Sequence, residues 1–246
     1  EGDTHWNYEF EATKLYDGSE IKLGNVILKV LHTPGHTPEH LSFLVTDRAT
    51  ATEPGFLLTG DFVFVGDVGR PDLLDEAAGM IDTRFEGAKQ LFKSLREKFL
   101  ILPDYVQVWP GHGAGSACGK ALGSIASTTV GYEKRFSWWA DYLANNDEEG
   151  FTRALLEDQP DAPTYFGRMK RQNKAGPAFR PTSALRHISA SELDTDKFVF
   201  MDTRPRKDYL EAHVPIALHI PDGKKFATYA SYILNPEKEI RPIVVF

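Results

Sequence analysis

The sequence predicts an α/β protein with two domains joined by a linker. Short runs of alternating or continuous apolar residues, each next to Gly, Pro or Asp, predict strands. Longer stretches with apolar residues every three or four positions predict helices. A shift to proline and basic residues at 159–181 predicts a linker between a first domain at 1–158 and a second at 182–246.

The expected strands of the first domain lie at four places along the chain. Residues 20–32 alternate between polar and apolar positions after the turn signal Asp17-Gly18. The segments 40–45, 55–61 and 105–109 have a similar apolar character. The last two lead directly into tight loops, because the first ends at Gly-Asp and the second runs into Pro-Gly.

Three helices are expected among these strands and after them. Apolar positions at helical spacing predict a helix over 82–99, with Asp82 or Thr83 as the N-cap. Aromatic residues keep one face of 124–144 apolar, which predicts a second helix. A third is expected over 148–156.

The second domain restarts a pattern of strands and helices at 188–193 and 197–202. The apolar run 243–246 predicts a buried strand. Because the chain begins at Glu1 and stops within this run, we expect a fragment cut at both ends.

Composition excludes several functional classes. The formal charge is −7, from 28 basic and 35 acidic residues, and no basic run offers a local patch for nucleic acid. No stretch approaches the roughly 20 apolar residues of a membrane span, so no membrane partner is expected. One cysteine, Cys118, leaves no internal disulfide and fits a reducing, cytoplasmic location.

Three apolar segments run into Gly/Pro loops that hold side chains suited to metal binding. These are TPGHT with His36, TGD with Asp61 and PGHG with His112. Ligands on loops at strand ends are held by a rigid sheet and stay open to substrate. Imidazole and carboxylate suit zinc or iron. Taken alone, each histidine is more often structural than a ligand.

In this order, TPGHT, TGD and PGHG resemble the later motifs of the metallo-β-lactamase superfamily. The resemblance implies an αβ/βα sandwich, partial here, with metal ligands at His36, Asp61 and His112. The superfamily's first motif, His-x-His-x-Asp-His, is absent from this sequence and is expected before Glu1. His40 is expected to orient the loop or to hydrogen-bond within the strand.

The segment GDVGRPD at 66–72 is similar to the loop of the persulfide dioxygenase branch, where Gly-Arg-x-Asp follows the metal aspartate. The resemblance suggests active-site roles for two residues. Arg70 can bind the carboxylate of a thiol carrier such as glutathione through a bidentate pair. Asp72 can hold Arg70 or a ligand histidine. The alternative is a surface turn with an ion pair worth about 0–1 kcal/mol.

Cys118 follows His112 by six residues and lies where a helical region is expected to begin. A helix N-terminus lowers the pKa of a thiol, so Cys118 is a candidate for sulfur exchange in the active site. An inert, buried cysteine is the equally open alternative.

Residues 198–221 resemble the opening of a rhodanese domain, with a strand ending in Asp-x-Arg, an acidic-aromatic helix and a variant of Gly-His-Ile-Pro-Gly-Ala. Ala212 and Ile216 replace the usual glycines. The resemblance implies a truncated rhodanese-like α/β domain whose catalytic cysteine lies beyond this sequence. Three residues are expected to support its fold: Asp202, Arg204 and His213.

Together the resemblances imply a persulfide dioxygenase fused to a rhodanese-like sulfurtransferase module. Such an enzyme would hold one Fe(II) per chain through His36, Asp61 and an upstream histidine, with His112 at a second metal position left empty. Its partners would be a small-molecule thiol persulfide and O2, and the full-length protein would be a homo-oligomer.

Two alternatives stay open. A thioester hydrolase of the hydroxyacylglutathione type would use two zinc ions to activate hydroxide, with His112 engaged as a ligand. A degraded scaffold would act only in binding or sensing, although an intact set of His36, Asp61 and His112 argues against decay.

Overall fold

The computed structural model describes residues 8–73, 83–177, 185–235, 237–239 and 241–246. The chain divides into two compact units. Unit 1 comprises Glu1–Ala162 and Phe166–Gly176, and unit 2 comprises Pro163–Tyr165 and Pro177–Phe246. Strands and helices occur in both units, so the predicted α/β class is confirmed.

Unit 1 contains a six-stranded sheet in the order β1-β2-β3-β4-β5-β6. The predicted strand at 20–32 is a hairpin, because Asn25 and the positive-φ Gly24 interrupt it. The strands are β1 (Glu20–Leu23), β2 (Val26–His32), β3 (Leu41–Asp47), β4 (Phe56–Gly60), β5 (Gln107–Pro110) and β6 (Thr128–Thr129).

The strand directions place three strand ends at one edge of this sheet. β2 and β4 are both antiparallel to β3, and β5 is parallel to β4. The carboxyl ends of β2, β4 and β5 therefore point the same way. The three loops with metal-binding side chains follow these ends, so the topology brings them together.

The described residues of unit 1 form the helices α1 (Thr83–Ser94, continued by a π-helical turn Leu95–Phe99), α2 (Val130–Phe136), α3 (Ala140–Ala144), α4 (Glu148–Leu156) and α5 (Phe166–Ala175). The first four contribute residues to the core on one face of the sheet. Leu57 and Val108 of the sheet pack with Leu91 and Leu95 of α1 in one buried cluster. Phe99 makes edge-to-face contacts with Phe62 and Trp139, which joins the loop after β4 to the helical layer.

Some helix predictions need correction. The single helix expected over 124–144 is instead β6 followed by α2 and α3, because Thr129 is extended and caps α2 through Tyr132 N–H at 3.2 Å. The predicted linker contains α5. The predicted helices over 82–99 and 148–156 are present, although Asp82, a predicted N-cap, lies outside the described residues.

Unit 2 contains a parallel three-stranded sheet in the order β8-β7-β9. Its elements are β7 (Val199–Asp202), α6 (Arg206–Glu211), β8 (Leu218–His219), α7 (Phe226–Ile233) and β9 (Ile243–Val245), after a 3₁₀ turn at Ala190–Glu192. The expectation that the last strand is fully buried is wrong. Only Val244 is buried, because β9 is an edge strand here.

Asp202 and Arg204 form an ion pair in unit 2, and Arg204 also donates to the Ala212 carbonyl at 2.8 Å. His213 Nδ1 bonds to the Tyr209 carbonyl at 2.8 Å, and its ring stacks on Tyr209. These contacts tie β7 to α6. Among the described residues, no helix is long and apolar enough to cross a membrane.

Candidate metal centre

His36, Asp61 and His112 meet at the carboxyl edge of the unit 1 sheet. His36 Nε2 lies 3.3 Å from Asp61 Oδ2. His112 Nε2 lies 3.2 Å from Asp61 Oδ1. One carboxylate thus stands between two imidazoles, with one oxygen facing each ring.

The ring of His36 is oriented for metal binding by a backbone group. Its Nδ1 lies 2.8 Å from the carbonyl oxygen of Arg70. A carbonyl only accepts, so Nδ1 carries a proton. In the neutral ring this leaves the lone pair on Nε2, the nitrogen that faces Asp61. Metal-binding histidines are commonly fixed in this way by a partner of the second nitrogen.

Glycines let the backbone approach Asp61 closely. A Cβ on Gly69 would lie 1.8 Å from the Asp61 carbonyl oxygen and 3.1 Å from His36 Cβ. A Cβ on Gly111 would lie 3.0 Å from Asp61 Oδ1. The absence of a side chain at Gly69 is therefore a condition for the arrangement of Asp61 and His36, and a side chain at Gly111 would press on the Asp61 carboxylate.

Arg70 and Asp72 form a buried pair beside the site. The guanidinium Nε donates to Asp72 Oδ1 at 2.9 Å, and a second nitrogen donates to Oδ2. The remaining terminal nitrogen donates to the carbonyls of Ala117, at 3.2 Å, and Pro160. The Arg70 side chain is 1% exposed.

This environment corrects two expectations about Arg70. It is not part of a surface turn, and its guanidinium is not open to the carboxylate of a thiol carrier, because its donors are directed at internal acceptors. Asp72 holds Arg70, which is the first of the two roles considered for it. Arg70 acts on the site through its carbonyl, which orients His36.

The loop between Asp61 and Arg70 is anchored by two buried carboxylates. Asp67 accepts from Ala121 N–H at 2.9 Å and from the indole N–H of Trp138 at 3.0 Å. Glu133 of α2 accepts from Gly66 N–H at 3.0 Å. Residues far along the chain therefore fix the loop that carries both Asp61 and the Arg70 carbonyl.

Cys118 lies beside the candidate ligands. A sulfur-, nitrogen- or oxygen-donor atom from each of Cys118, His112 and Asp61 falls within 4.8 Å of the others. The expected helix start is absent at Cys118, and burial raises the pKa of the thiol. The predicted lowering of this pKa is therefore wrong, and the nearby Asp61 carboxylate raises it further.

The donor set fits a transition-metal ion. Two neutral imidazoles and one carboxylate suit zinc and non-haem iron, whereas calcium and magnesium prefer oxygen ligands alone. The Nδ1–H tautomer of His36 leaves the required lone pair free. The described residues thus carry a candidate metal site whose donors suit zinc and iron equally well.

Comparison with known proteins places this geometry in a family. Residues 8–112 match the model of the metallo-beta-lactamase superfamily. The structure is similar to a metallo-beta-lactamase from Staphylococcus aureus subsp. aureus COL, with a TM-score of 0.79 and 40% identity, over 99% of this chain and 67% of that one.

This chain belongs to the metallo-beta-lactamase superfamily.

Two further relatives are informative. ETHE1 from Myxococcus xanthus has a TM-score of 0.52 at 25% identity, over 71% of this chain and 64% of that one. Hydroxyacylglutathione hydrolase GloC of Haemophilus influenzae is 33% identical over 119 residues, which are 48% of this chain and 43% of the relative. The chain spans less than half the length of the first curated relatives it matches.

The metallo-beta-lactamase resemblance predicted His36, Asp61 and His112, and the structure brings all three together. The sequence analysis missed the Arg70 carbonyl and the anchoring roles of Asp67 and Glu133. Asp67 stands in the Gly-Asp-Val-Gly stretch after Asp61, which is a detectable turn signal. Glu133 has no local signal, because its partner Gly66 is 67 residues away.

Proposed function

We propose that this chain carries part of the active site of a persulfide dioxygenase that oxidises a low-molecular-weight thiol persulfide to sulfite. The observation that carries the proposal is the pairing of His36 Nε2 with Asp61, with His36 held by the Arg70 carbonyl. His36, Asp61 and one upstream histidine would together form an iron site with two histidines and one carboxylate.

Two further observations support this branch. The Gly-Arg-Pro-Asp segment that resembles the persulfide dioxygenase loop is built into the site, with Arg70 and Asp72 buried as a pair. The structural likeness to ETHE1 covers 71% of this chain.

The proposed reaction balances with one O2 and one water per persulfide. R–S–SH, O2 and water give R–SH and sulfurous acid, which ionises to sulfite. The terminal sulfur loses four electrons and O2 gains them, so no further oxidant is needed. When bound, Fe(II) with open coordination positions would bring the persulfide sulfur and O2 together.

The chain's own residues would prepare this site. The Arg70 carbonyl would keep the His36 proton on Nδ1, so that Nε2 stays available as a ligand. The Arg70–Asp72 pair would hold that carbonyl in place. Cys118 is kept as a candidate for sulfur exchange, in which its thiol would first have to lose a proton.

Several wider features belong to the same proposal. Unit 2, with its parallel sheet and Asp202–Arg204 pair, would be a rhodanese-like sulfurtransferase module that exchanges sulfane sulfur with the same thiol pool. The full-length protein would be a cytoplasmic homo-oligomer that uses small-molecule substrates and binds neither nucleic acid nor membrane.

A second candidate is a metal-dependent thioester hydrolase. It is favoured by His112, which faces the oxygen of Asp61 that His36 does not face. His36, Asp61 and His112 would hold the zinc ions, which when bound would supply an activated hydroxide. The 33% identity to hydroxyacylglutathione hydrolase GloC supports this reading.

The deciding experiment uses the whole protein. Metal content would be measured alongside O2 uptake and sulfite release with glutathione persulfide, and thioester cleavage with S-lactoylglutathione. About one iron per chain with persulfide-dependent O2 uptake supports the dioxygenase. Two zinc ions, thioester cleavage and no O2 uptake would replace it with the hydrolase.

A matched pair of variants ties either activity to this site. Asp61→Asn removes the carboxylate that both imidazoles face, so metal content and activity are expected to fall together. Asp104→Asn changes an exposed aspartate paired with Lys134 and should leave both unchanged. Full metal and activity in Asp61→Asn would reject the assigned centre.

A further inference from the structure

Both polar groups of the peptide unit between Gly60 and Asp61 are hydrogen-bonded. Its carbonyl, on Gly60, accepts from Gly111 N–H at 2.8 Å. Its N–H, on Asp61, donates to His40 Nε2 at 3.1 Å. Gly111 precedes His112, and His40 lies in the loop that carries His36. This single peptide unit therefore contacts all three ligand-bearing loops.

The hydrogen-bond direction fixes the state of His40. Because Asp61 N–H can only donate, Nε2 of His40 must accept and carries no proton. The Nδ1 atom lies 2.8 Å from Thr33 Oγ1. In the neutral ring Nδ1 then bears the proton and donates it to the threonine hydroxyl.

Hydroxyl groups continue this hydrogen-bonded chain from His40 to β4, the strand that ends just before Asp61. Thr33 Oγ1, which accepts from His40, lies 2.9 Å from Ser42 Oγ and can donate to it. Ser42 Oγ donates in turn to the Thr59 carbonyl at 3.5 Å, a long and weak bond. A chain of hydroxyl groups thus links His40 to the residue two positions before Asp61.

There is little free space around the Gly60–Asp61 peptide unit. Gly60 has φ +52°, and a Cβ there would lie 3.0 Å from His40 Nε2. Thr33 and Ser42 are buried. A side chain at position 60 would therefore press on the His40 ring, and the positive φ also favours glycine there.

We propose that the Gly60–Asp61 peptide unit is the hub that sets the relative positions of the three ligand loops, and that His40 is the positioning residue that holds it. His40 acts through the Asp61 N–H and is not a metal ligand. This inference rests on the metal centre proposed above, but not on whether the enzyme is a dioxygenase or a hydrolase. Burial lowers the pKa of His40 to about 4, which agrees with the neutral ring that the bonds require.

The hydrogen bond itself is testable without metal or substrate. In ¹⁵N-labelled, metal-free protein, a scalar coupling across the N–H···N bond is expected between Asp61 N and His40 Nε2. The ring shifts of His40 should report the Nδ1–H tautomer. Absence of the coupling together with the opposite tautomer would overturn the inference.

Two substitutions of His40 test whether it acts through its hydrogen bond to Asp61 N–H or only by filling space. In His40→Gln, the side-chain oxygen can reach the place of Nε2 and accept from Asp61 N–H. In His40→Leu, the ring volume is largely filled but the N–H loses its acceptor. His213→Leu, in unit 2, is the control for loss of a histidine elsewhere.

The readout is metal affinity, measured by competition between protein and a chelator for zinc and for iron. We expect His40→Leu to bind about 10- to 100-fold more weakly, the range for partners that orient ligands. His40→Gln should recover most of this loss, and His213→Leu should match the parent. Equal affinity in His40→Leu and the parent would reject the positioning role.

The outcomes also distinguish failure of the His40 role from failure of the proposed metal centre. If the parent and His40→Leu bind equally and Asp61→Asn binds much less, the centre stands and the role of His40 fails. If Asp61→Asn binds as the parent does, the proposed centre itself fails, whatever the coupling measurement shows.

Discussion

At the residue scale, two histidines have different roles because their ring nitrogens face different partners. In the neutral form, both His36 and His40 carry the proton on Nδ1: His36 because its Nδ1 faces the Arg70 carbonyl, and His40 because its Nε2 accepts from Asp61 N–H. His36 presents Nε2 to a carboxylate, whereas His40 presents it to a backbone N–H. The first arrangement suits a metal ligand, and the second suits a residue that positions one.

The Arg70–Asp72 pair should contribute strongly to stability. Asp72→Asn would leave the buried guanidinium without its counter-charge, and breaking a buried pair costs about 3–5 kcal/mol. Urea unfolding should show this loss. Lys98→Gln, which breaks the more exposed pair with Asp17, should cost no more than about 1 kcal/mol. Equal small losses would mean that burial does not strengthen the Arg70 pair.

Acid should weaken unit 2 through Asp202. Hydrogen bonds from the Arg204 guanidinium hold the pKa of this carboxyl below its ordinary value. A carboxyl with a lowered folded-state pKa stabilises the fold above the unfolded-state pKa, near 4. That stability is lost as the pH falls from this value through the folded-state pKa.

Asp202→Asn should therefore lower the stability of unit 2 at pH 7 and flatten its dependence on pH below about 4. Amide exchange at Ile220, whose N–H bonds to the Asp202 carbonyl at 3.0 Å, reports opening of this sheet once corrected for intrinsic rates. An unchanged pH profile in the variant would show that another group controls acid unfolding. Glu211→Gln, at an exposed position at the end of α6, is the control for simple loss of a carboxylate.

At the element scale, local patterns predicted helices well where capping and periodicity agree. The helix α4, over Glu148–Leu156, has the predicted bounds, and Asp147 accepts from Gly150 N–H at 2.8 Å as its N-cap. The stretch 124–144 failed, because two of its residues pair with β5 as the short strand β6. Such pairing depends on a distant strand, so periodicity within the stretch cannot reveal it.

The loop after Asp61 should be intolerant of a side chain at Gly69. Gly69→Ala would place a Cβ 1.8 Å from the Asp61 carbonyl oxygen, so the backbone must shift. We expect lower metal affinity together with a loss of about 1–3 kcal/mol from overpacking. Gly55→Ala is the control, since a Cβ there meets nothing within 4 Å. Wild-type metal affinity in Gly69→Ala would show that the loop adapts.

At the scale of the whole molecule, the two faces of the unit 1 sheet differ. Leu57 and Val108 lie in the core beneath the helices. Phe56, Leu58 and Trp109 alternate with them and are 39%, 40% and 44% exposed. Contiguous exposed apolar residues on a sheet mark an association surface.

This face should make the 246-residue chain associate in solution. Replacing Phe56 and Leu58 together by threonine should reduce both light scattering and the binding of a hydrophobic dye. The β-propensity of threonine should keep the far-UV spectrum unchanged. Exchanging Leu185 and Leu210, exposed residues of unit 2, for threonine is the control. Association that survives the first exchange and not the second would move the surface to unit 2.

The sequence by itself determined the α/β class and most strand and helix positions, because alternation and helical spacing are set by neighbouring residues. The candidate ligands came from the order of TPGHT, TGD and PGHG, which resembles the metallo-β-lactamase superfamily. Only the tertiary structure decided what each candidate does. Arg70 is buried because Ala117 and Pro160, 47 and 90 residues away, supply its acceptors. Cys118 has a raised rather than a lowered pKa because burial, not a helix end, surrounds it. Protonation and hydrogen-bond direction depend on partners that folding brings together, so no local pattern could assign them.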